Sequence, residues 1–155
     1  FVYDPFLDKK IISEKNCTKI DFEEGIQIAD FITIHMPLNE ETKNLINKNC
    51  FLKMKKEAIL VNTARGGIVN ENDLHWALKN KKIHAAGTDV FETEPPDDNN
   101  PLFQLDNILM SPHNAALTLE CRKRMAIELA ENIIFYLESD NKLNKGNIVN
   151  LQKLD

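Results

Sequence analysis

Ala58-Ile59-Leu60-Val61-Asn62-Thr63-Ala64-Arg65-Gly66-Gly67 joins an uninterrupted apolar run to a polar loop that ends in two glycines. A strand with one wet face alternates apolar and polar residues, whereas a strand covered on both faces stays apolar along its length. Ile59-Leu60-Val61 is of the second kind, and so is Phe31-Ile32-Thr33-Ile34. Working outward, similar short runs give strand candidates at Phe1–Asp4, Cys17–Ile20, Phe31–His35, Ala58–Asn62, His84–Val90 and Asn107–Met110.

Helix signals fill the intervals. Asp21 followed by Glu24 has the form of a capping box ahead of Gly25–Ala29. Asn70, with Asp73 three residues on, predicts a helix to about Lys79 that buries Leu74, Ala77 and Leu78. Met125, Leu129, Ala130, Ile133, Ile134 and Leu137 form a stripe at helical spacing, so about Thr118–Glu138 reads as one long amphipathic helix. Strand–helix alternation at this rhythm implies an α/β fold of Rossmann type: right-handed crossovers and a doubly wound, mostly parallel sheet. The Lys- and Asn-rich tail, residues 141–155, reads as a linker or frayed end.

The 155 residues suit one core, and 43% hydrophobic with 28% charged residues is an ordinary globular composition. The net charge is −5 and the basic residues are scattered, which argues against nucleic acid and membrane surfaces as partners. No apolar run approaches the roughly 18–20 residues of a membrane span. Cys17, Cys50 and Cys121 are odd in number and far apart, so neither a disulfide framework nor a zinc site is expected, and the cytoplasm is the default compartment.

Ligands of parallel α/β sheets bind where the strands end. Asp4-Pro5 follows the first candidate strand, His35-Met36-Pro37 the third and Thr63-Ala64-Arg65-Gly66-Gly67 the fourth. The fifth leads through Asp89 to Glu92-Thr93-Glu94-Pro95-Pro96, and the last to Ser111-Pro112-His113-Asn114. Ionisable groups therefore gather at one sheet edge. Taken singly, Arg65 is an ordinary loop charge, Glu94 a turn residue and His113 a structural histidine; their order at three strand ends is what carries weight. His75 and His84 read as a helix-surface and a strand-start residue, and Trp76 as a helix residue packing against a neighbour.

Three of these segments carry a resemblance. Asn62-Thr63-Ala64-Arg65-Gly66-Gly67-Ile68-Val69 resembles the arginine signature of the D-isomer-specific 2-hydroxyacid dehydrogenases. Gly87-Thr88-Asp89-Val90-Phe91-Glu92-Thr93-Glu94-Pro95-Pro96 resembles their glutamate signature, and Ser111-Pro112-His113 their histidine signature. The family includes phosphoglycerate, glyoxylate/hydroxypyruvate and D-lactate dehydrogenases. The resemblance implies hydride transfer between NAD(H) and C2 of a D-2-hydroxy or 2-keto acid, commonly in a homodimer. It makes His113 the acid/base, Glu94 the partner of its other ring nitrogen, and Arg65 the holder of the substrate carboxylate; each residue type suits that task.

For the cofactor, an acidic residue ending the second strand of a dinucleotide fold accepts both ribose hydroxyls and repels a 2′-phosphate, so Asp4 favours NAD over NADP. The competing reading of Asp4-Pro5 is simple turn chemistry. By resemblance, Met36 and Arg65 join the cofactor-binding set, as does His35, otherwise a structural residue at a strand end, through its backbone; Pro37 flanks the adenine side, Thr63 and Ala64 approach the nicotinamide half, and Asp89 reaches the carboxamide. His113, Ala115 and Ala116 close that end; the family often has glycine after His-Xaa, where Asn114-Ala115-Ala116 stands here.

The phosphate-binding G-x-G-x-x-G expected about 20 residues before Asp4 is not in the sequence, whose glycines stand at 25, 66, 67, 87 and 146. Residues 1–140 therefore read as an NAD-binding domain truncated at its N-terminus and lacking its first βα unit, with 141–155 leading toward a substrate domain. Such a chain alone is expected to bind NAD weakly and to self-associate through open sheet edges. Two other readings stay open: a non-catalytic NAD-sensing module like the family's corepressors, and an inactive fragment. Formate dehydrogenase is disfavoured, because it partners its histidine with glutamine where this chain has Glu94.

Overall fold

The computed structural model describes residues 1–138, so the tail expected at 141–155 lies outside the described residues. Four parallel strands form a single sheet: β1 (Phe31–Ile34), β2 (Ile59–Asn62), β3 (Ala85–Thr88) and β4 (Ile108–Met110). They lie side by side in chain order. Their register pairs Phe31 with Ile59, Ile59 with Ala85 and Ala86 with Ile108. Each strand stops level with the next, so the loops leaving their C-terminal ends rise from one edge.

Among the described residues, five α-helices accompany the strands: α1 (Lys9–Ser13), α2 (Phe22–Ile28), α3 (Lys48–Lys53), α4 (Glu71–Lys79) and α5 (Leu119–Glu138). The Asn70 side chain accepts from Asp73 N–H, and α4 buries Leu74, Ala77 and Leu78, as its sequence predicts. The short α1 and α3 have no apolar periodicity long enough to announce them; Asp8 and Asn47 cap them. α3 packs on α4, and Phe51, Ile68, Leu78, Ile83 and Leu102 form the most deeply buried part of the core with Leu60 of β2. Trp76 rests against that core with the Lys48 ammonium 4.5 Å from its ring centroid.

Three expectations need correction. Phe1–Asp4 and Cys17–Ile20 do not form strands but meet at one parallel bridge, Val2 with Lys19. Two short segments paired only with each other make a marginal ribbon, and Phe1 is 80% exposed. The capping box at Asp21 and Glu24 does not close: α2 starts at Phe22 with Asp21 in N-cap geometry but without a side-chain bond. The fifth strand is shorter than His84–Val90, because Thr88 Oγ1 donates to the Val90 carbonyl and turns the chain out of the sheet.

The chain divides into two compact units, Phe1–His113 and Asn114–Asp155. The first holds the sheet and α1–α4; the second holds α5, which Thr118 starts by accepting from Cys121 N–H. Among the described residues no helix is long and apolar enough to cross a membrane. No cluster of three or more His, Cys, Asp or Glu there could hold a metal ion.

Leu78 is 1% exposed and Leu109 75%. Leu78→Ala should lower unfolding stability by about 2–5 kcal/mol, whereas Leu109→Ala should stay within about 0.5 kcal/mol. Urea denaturation of both variants checks the ordering.

Candidate active site

β2 ends at Asn62, which is 4% exposed and holds the next loop by its amide. Its Oδ1 accepts from Ala64 N–H at 3.0 Å, and its Nδ2 donates to the Arg65 carbonyl at 3.0 Å. A buried amide with both ends satisfied fixes a turn, so the exposed Arg65 guanidinium projects from a rigid base. Its Nη1 donates to the Ala64 carbonyl at 2.6 Å.

The following residue meets the β3 loop without a gap. A Cβ on Gly66 would stand 1.7 Å from the Phe91 carbonyl oxygen and 2.8 Å from Glu92 N. Only glycine allows the Arg65 loop to lie on the Phe91–Glu92 peptide.

Beyond β3, Asp89 is 2% exposed and accepts from Ser111 Oγ at 2.5 Å, tying the β3 and β4 loops together. Glu94 makes two further ties. Its Oε1 accepts from Phe91 N–H at 3.1 Å, and its Oε2 lies 2.7 Å from His113 Nδ1. The hydrogen bond with His113, the Phe91 N–H bond and the nearby imidazole charge hold the Glu94 carboxyl below its ordinary value, against partial desolvation and the charge of Asp89. With Glu94 ionised, Nδ1 must carry the proton that it shares, which leaves Nε2 as the ring nitrogen for other chemistry. His113 itself sits at φ 54°, in the left-handed region that a side chain other than glycine or asparagine seldom adopts. An apolar cavity of about 350 Å³ opens beside the pair, walled by Phe91, Phe103, Met110 and Pro112.

The other sequence candidates lie at the same strand ends or apart from them. His35 follows β1, its Nε2 2.8 Å from Thr33 Oγ1, two residues back on the same strand face. Met36 is half-buried against the core, and Pro37 offers its carbonyl to Thr42 Oγ1. Thr63 is exposed and Ala64 partly buried. Asp4 spends Oδ1 on the backbone N–H groups of Phe6 and Leu7, at 2.8 and 3.0 Å, so it does build the turn. Ala115 and Ala116 belong to the second unit. Asn62 and Gly66 lie inside the arginine motif; Asn62 bonds within its own turn, whereas Gly66 meets the Phe91–Glu92 peptide, a partner that no local pattern reveals.

Residues 1–115 match the model of the NAD-binding domain of the D-isomer-specific 2-hydroxyacid dehydrogenases. The chain belongs to this family. It is 41% identical over 153 residues to D-3-phosphoglycerate dehydrogenase of Archaeoglobus fulgidus, covering 99% of this chain and 28% of that protein. It is 44% identical over 116 residues to hydroxypyruvate reductase of Thermotoga maritima, covering 74% and 38%. Among solved structures, D-lactate dehydrogenase from Aquifex aeolicus, complexed with NAD and lactic acid, superposes with a TM-score of 0.79 at 29% identity, over 95% of this chain and 48% of that one. The chain thus spans less than half the length of each of these proteins.

Two outcomes test the geometry. Gly66→Ala should destabilise the fold by roughly 1–3 kcal/mol, because a methyl group must displace backbone rather than a side chain; thermal unfolding checks this. For Glu94, the depressed folded value means that its contribution is fully present above the ordinary carboxylate value of 4.5 and is lost as pH falls through the lower folded value. The stability difference between wild type and Glu94→Gln should therefore be flat above that range and change only below it, as measured by urea titrations across pH.

Proposed function

We propose that the protein to which this chain belongs transfers hydride between NAD(H) and C2 of a D-2-hydroxy or 2-keto acid. One observation carries the reading: Glu94 and His113, from different loops, are bonded at the strand ends from which Arg65 also rises.

The roles follow from the chemistry. Reduction of a ketone at C2 leaves negative charge on its oxygen, and His113 Nε2 donates the proton that neutralises it; oxidation runs the same transfer backwards. Glu94 holds the ring in the required tautomer and orientation. Arg65 takes the substrate carboxylate by its planar fork of donors, which a lysine cannot reproduce. The nicotinamide, when bound, supplies or accepts the hydride.

The residues present fit such a cofactor. Both Asp4 bonds fall on Oδ1, which leaves Oδ2 to accept from an adenosine ribose hydroxyl and to disfavour a 2′-phosphate. His35, Met36 and Pro37 then border the adenine side, Thr63, Ala64 and Arg65 the nicotinamide half, and Asp89 its carboxamide, with His113 at that end. We place the protein in the cytoplasm and expect it to act as a homodimer on a small acid.

In the full-length enzyme, His113→Ala should lower kcat by about 10²–10⁴-fold while NADH binding survives, since only proton transfer is removed. Steady-state kinetics with a panel of 2-keto acids, alongside NADH fluorescence titration, is the measurement. An unchanged kcat at the pH optimum would sink the assignment.

A further inference from the structure

Glu71 and Glu92 exchange hydrogen bonds across 21 residues. Glu71 N–H donates to Glu92 Oε1 at 2.8 Å, and Glu92 N–H donates to Glu71 Oε1 at 2.5 Å. Glu71 is the first residue of α4, so its N–H is one of the donors that a helix cannot satisfy internally. The Glu92 carboxylate satisfies it where the helix dipole also favours negative charge. The second Glu71 oxygen accepts from Asn100 Nδ2 at 3.0 Å, and Asn100 in turn starts the 3₁₀ turn Pro101–Gln104 by accepting from Leu102 N–H.

The peptide that Glu71 grips is the one on which Gly66 rests. Its N–H belongs to Glu92 and its carbonyl to Phe91, the atoms nearest the space where a Gly66 side chain would stand. On the other side of Phe91, its own N–H donates to Glu94 Oε1, and Glu94 Oε2 meets His113. One short segment thus connects the Arg65 loop, the start of α4 and the histidine's partner.

We propose that Glu71 and Glu92 form a reciprocal clamp that sets the Phe91–Glu94 segment against the Arg65 loop, making Glu71 a positioning residue for the Glu94–His113 pair. Neither carboxylate is among the three catalytic residues. Each acts by fixing backbone: Glu71 holds the Glu92 N–H, Glu92 holds the start of α4, and Glu94 is thereby kept within reach of His113 Nδ1. Opening the clamp frees the peptide to lift from Gly66 and lets Glu94 leave the imidazole. The catalytic part of this inference rests on the function proposed above; the structural part does not.

The test compares Glu71→Ala, Glu71→Gln and Glu92→Ala in the full-length enzyme and in this chain. In the enzyme, both alanine variants should lose about 10-fold or more in kcat, since an ångström of misplacement can cost about 10²-fold, with KM for NADH changed less than about 2-fold. Glu71→Gln keeps an oxygen for the Glu92 N–H and should recover most of the rate. In the chain, the downfield proton NMR signal of His113 Nδ1–H, assigned by its loss in His113→Asn, should disappear in both alanine variants and persist in Glu71→Gln. Circular dichroism identifies any variant that fails to fold; Glu92, an exposed residue, supplies the second route if Glu71→Ala does. A folded alanine variant that keeps both kcat and the NMR signal overturns the clamp, and so does a Glu71→Gln variant as impaired as Glu71→Ala. Wild-type enzyme inert on every 2-keto acid would end the functional reading, while the NMR comparison would still decide the clamp.

Discussion

The contact between Gly66 and the Phe91–Glu92 peptide constrains the whole site. Parallel strands bring their outgoing loops to one edge, but they do not fix how those loops meet. Here the meeting is backbone against backbone, at a separation that excludes a methyl group. Arg65 and Glu94 therefore take their relative places from the main chain and not from mobile side chains. A reaction that needs a cation at one end of a small acid and a proton at its middle gains from such rigidity, because orientation set in advance need not be recovered at each turnover.

The remaining polar contacts extend that constraint. Asn62 fixes the loop on one side of the contact, and Asp89 with Ser111 joins the β3 loop to the next. His113 occupies its place with a left-handed backbone, a conformation that costs roughly 1–2 kcal/mol for an ordinary residue and that its surroundings must impose. Strain of this kind is stored where the surrounding structure over-determines a residue, as Glu94 does here through the imidazole.

What the sequence disclosed follows the range of the interactions concerned. The apolar runs at 31–34 and 59–62 and the Asn70 cap are local, so their elements were legible from neighbours alone. The three motifs were legible because the resemblance supplied roles for Arg65, Glu94 and His113, and the strand-end rule put them at one edge. The exchange between Glu71 and Glu92 links residues 21 apart, and no periodicity announces such a bond. Local signals also misled: Asp21 and Glu24 have the spacing of a reciprocal cap that the chain does not make, and the run at Phe1–Asp4 yields a single bridge.

The side-by-side order of β1 to β4 bears on how the fold is reached. Each strand docks on the one synthesised just before it, and the paired residues lie 28, 26 and 22 positions apart: Phe31 to Ile59, Ile59 to Ala85, Ala86 to Ile108. Closing loops of such similar length costs similar entropy each time, so the sheet can grow by successive additions as the chain leaves the ribosome, with no long wait for a distant partner. His113 lies beyond the last of these strands. Because Glu94 and His113 flank β4, their bond needs no further strand beyond it and follows from the same stepwise order.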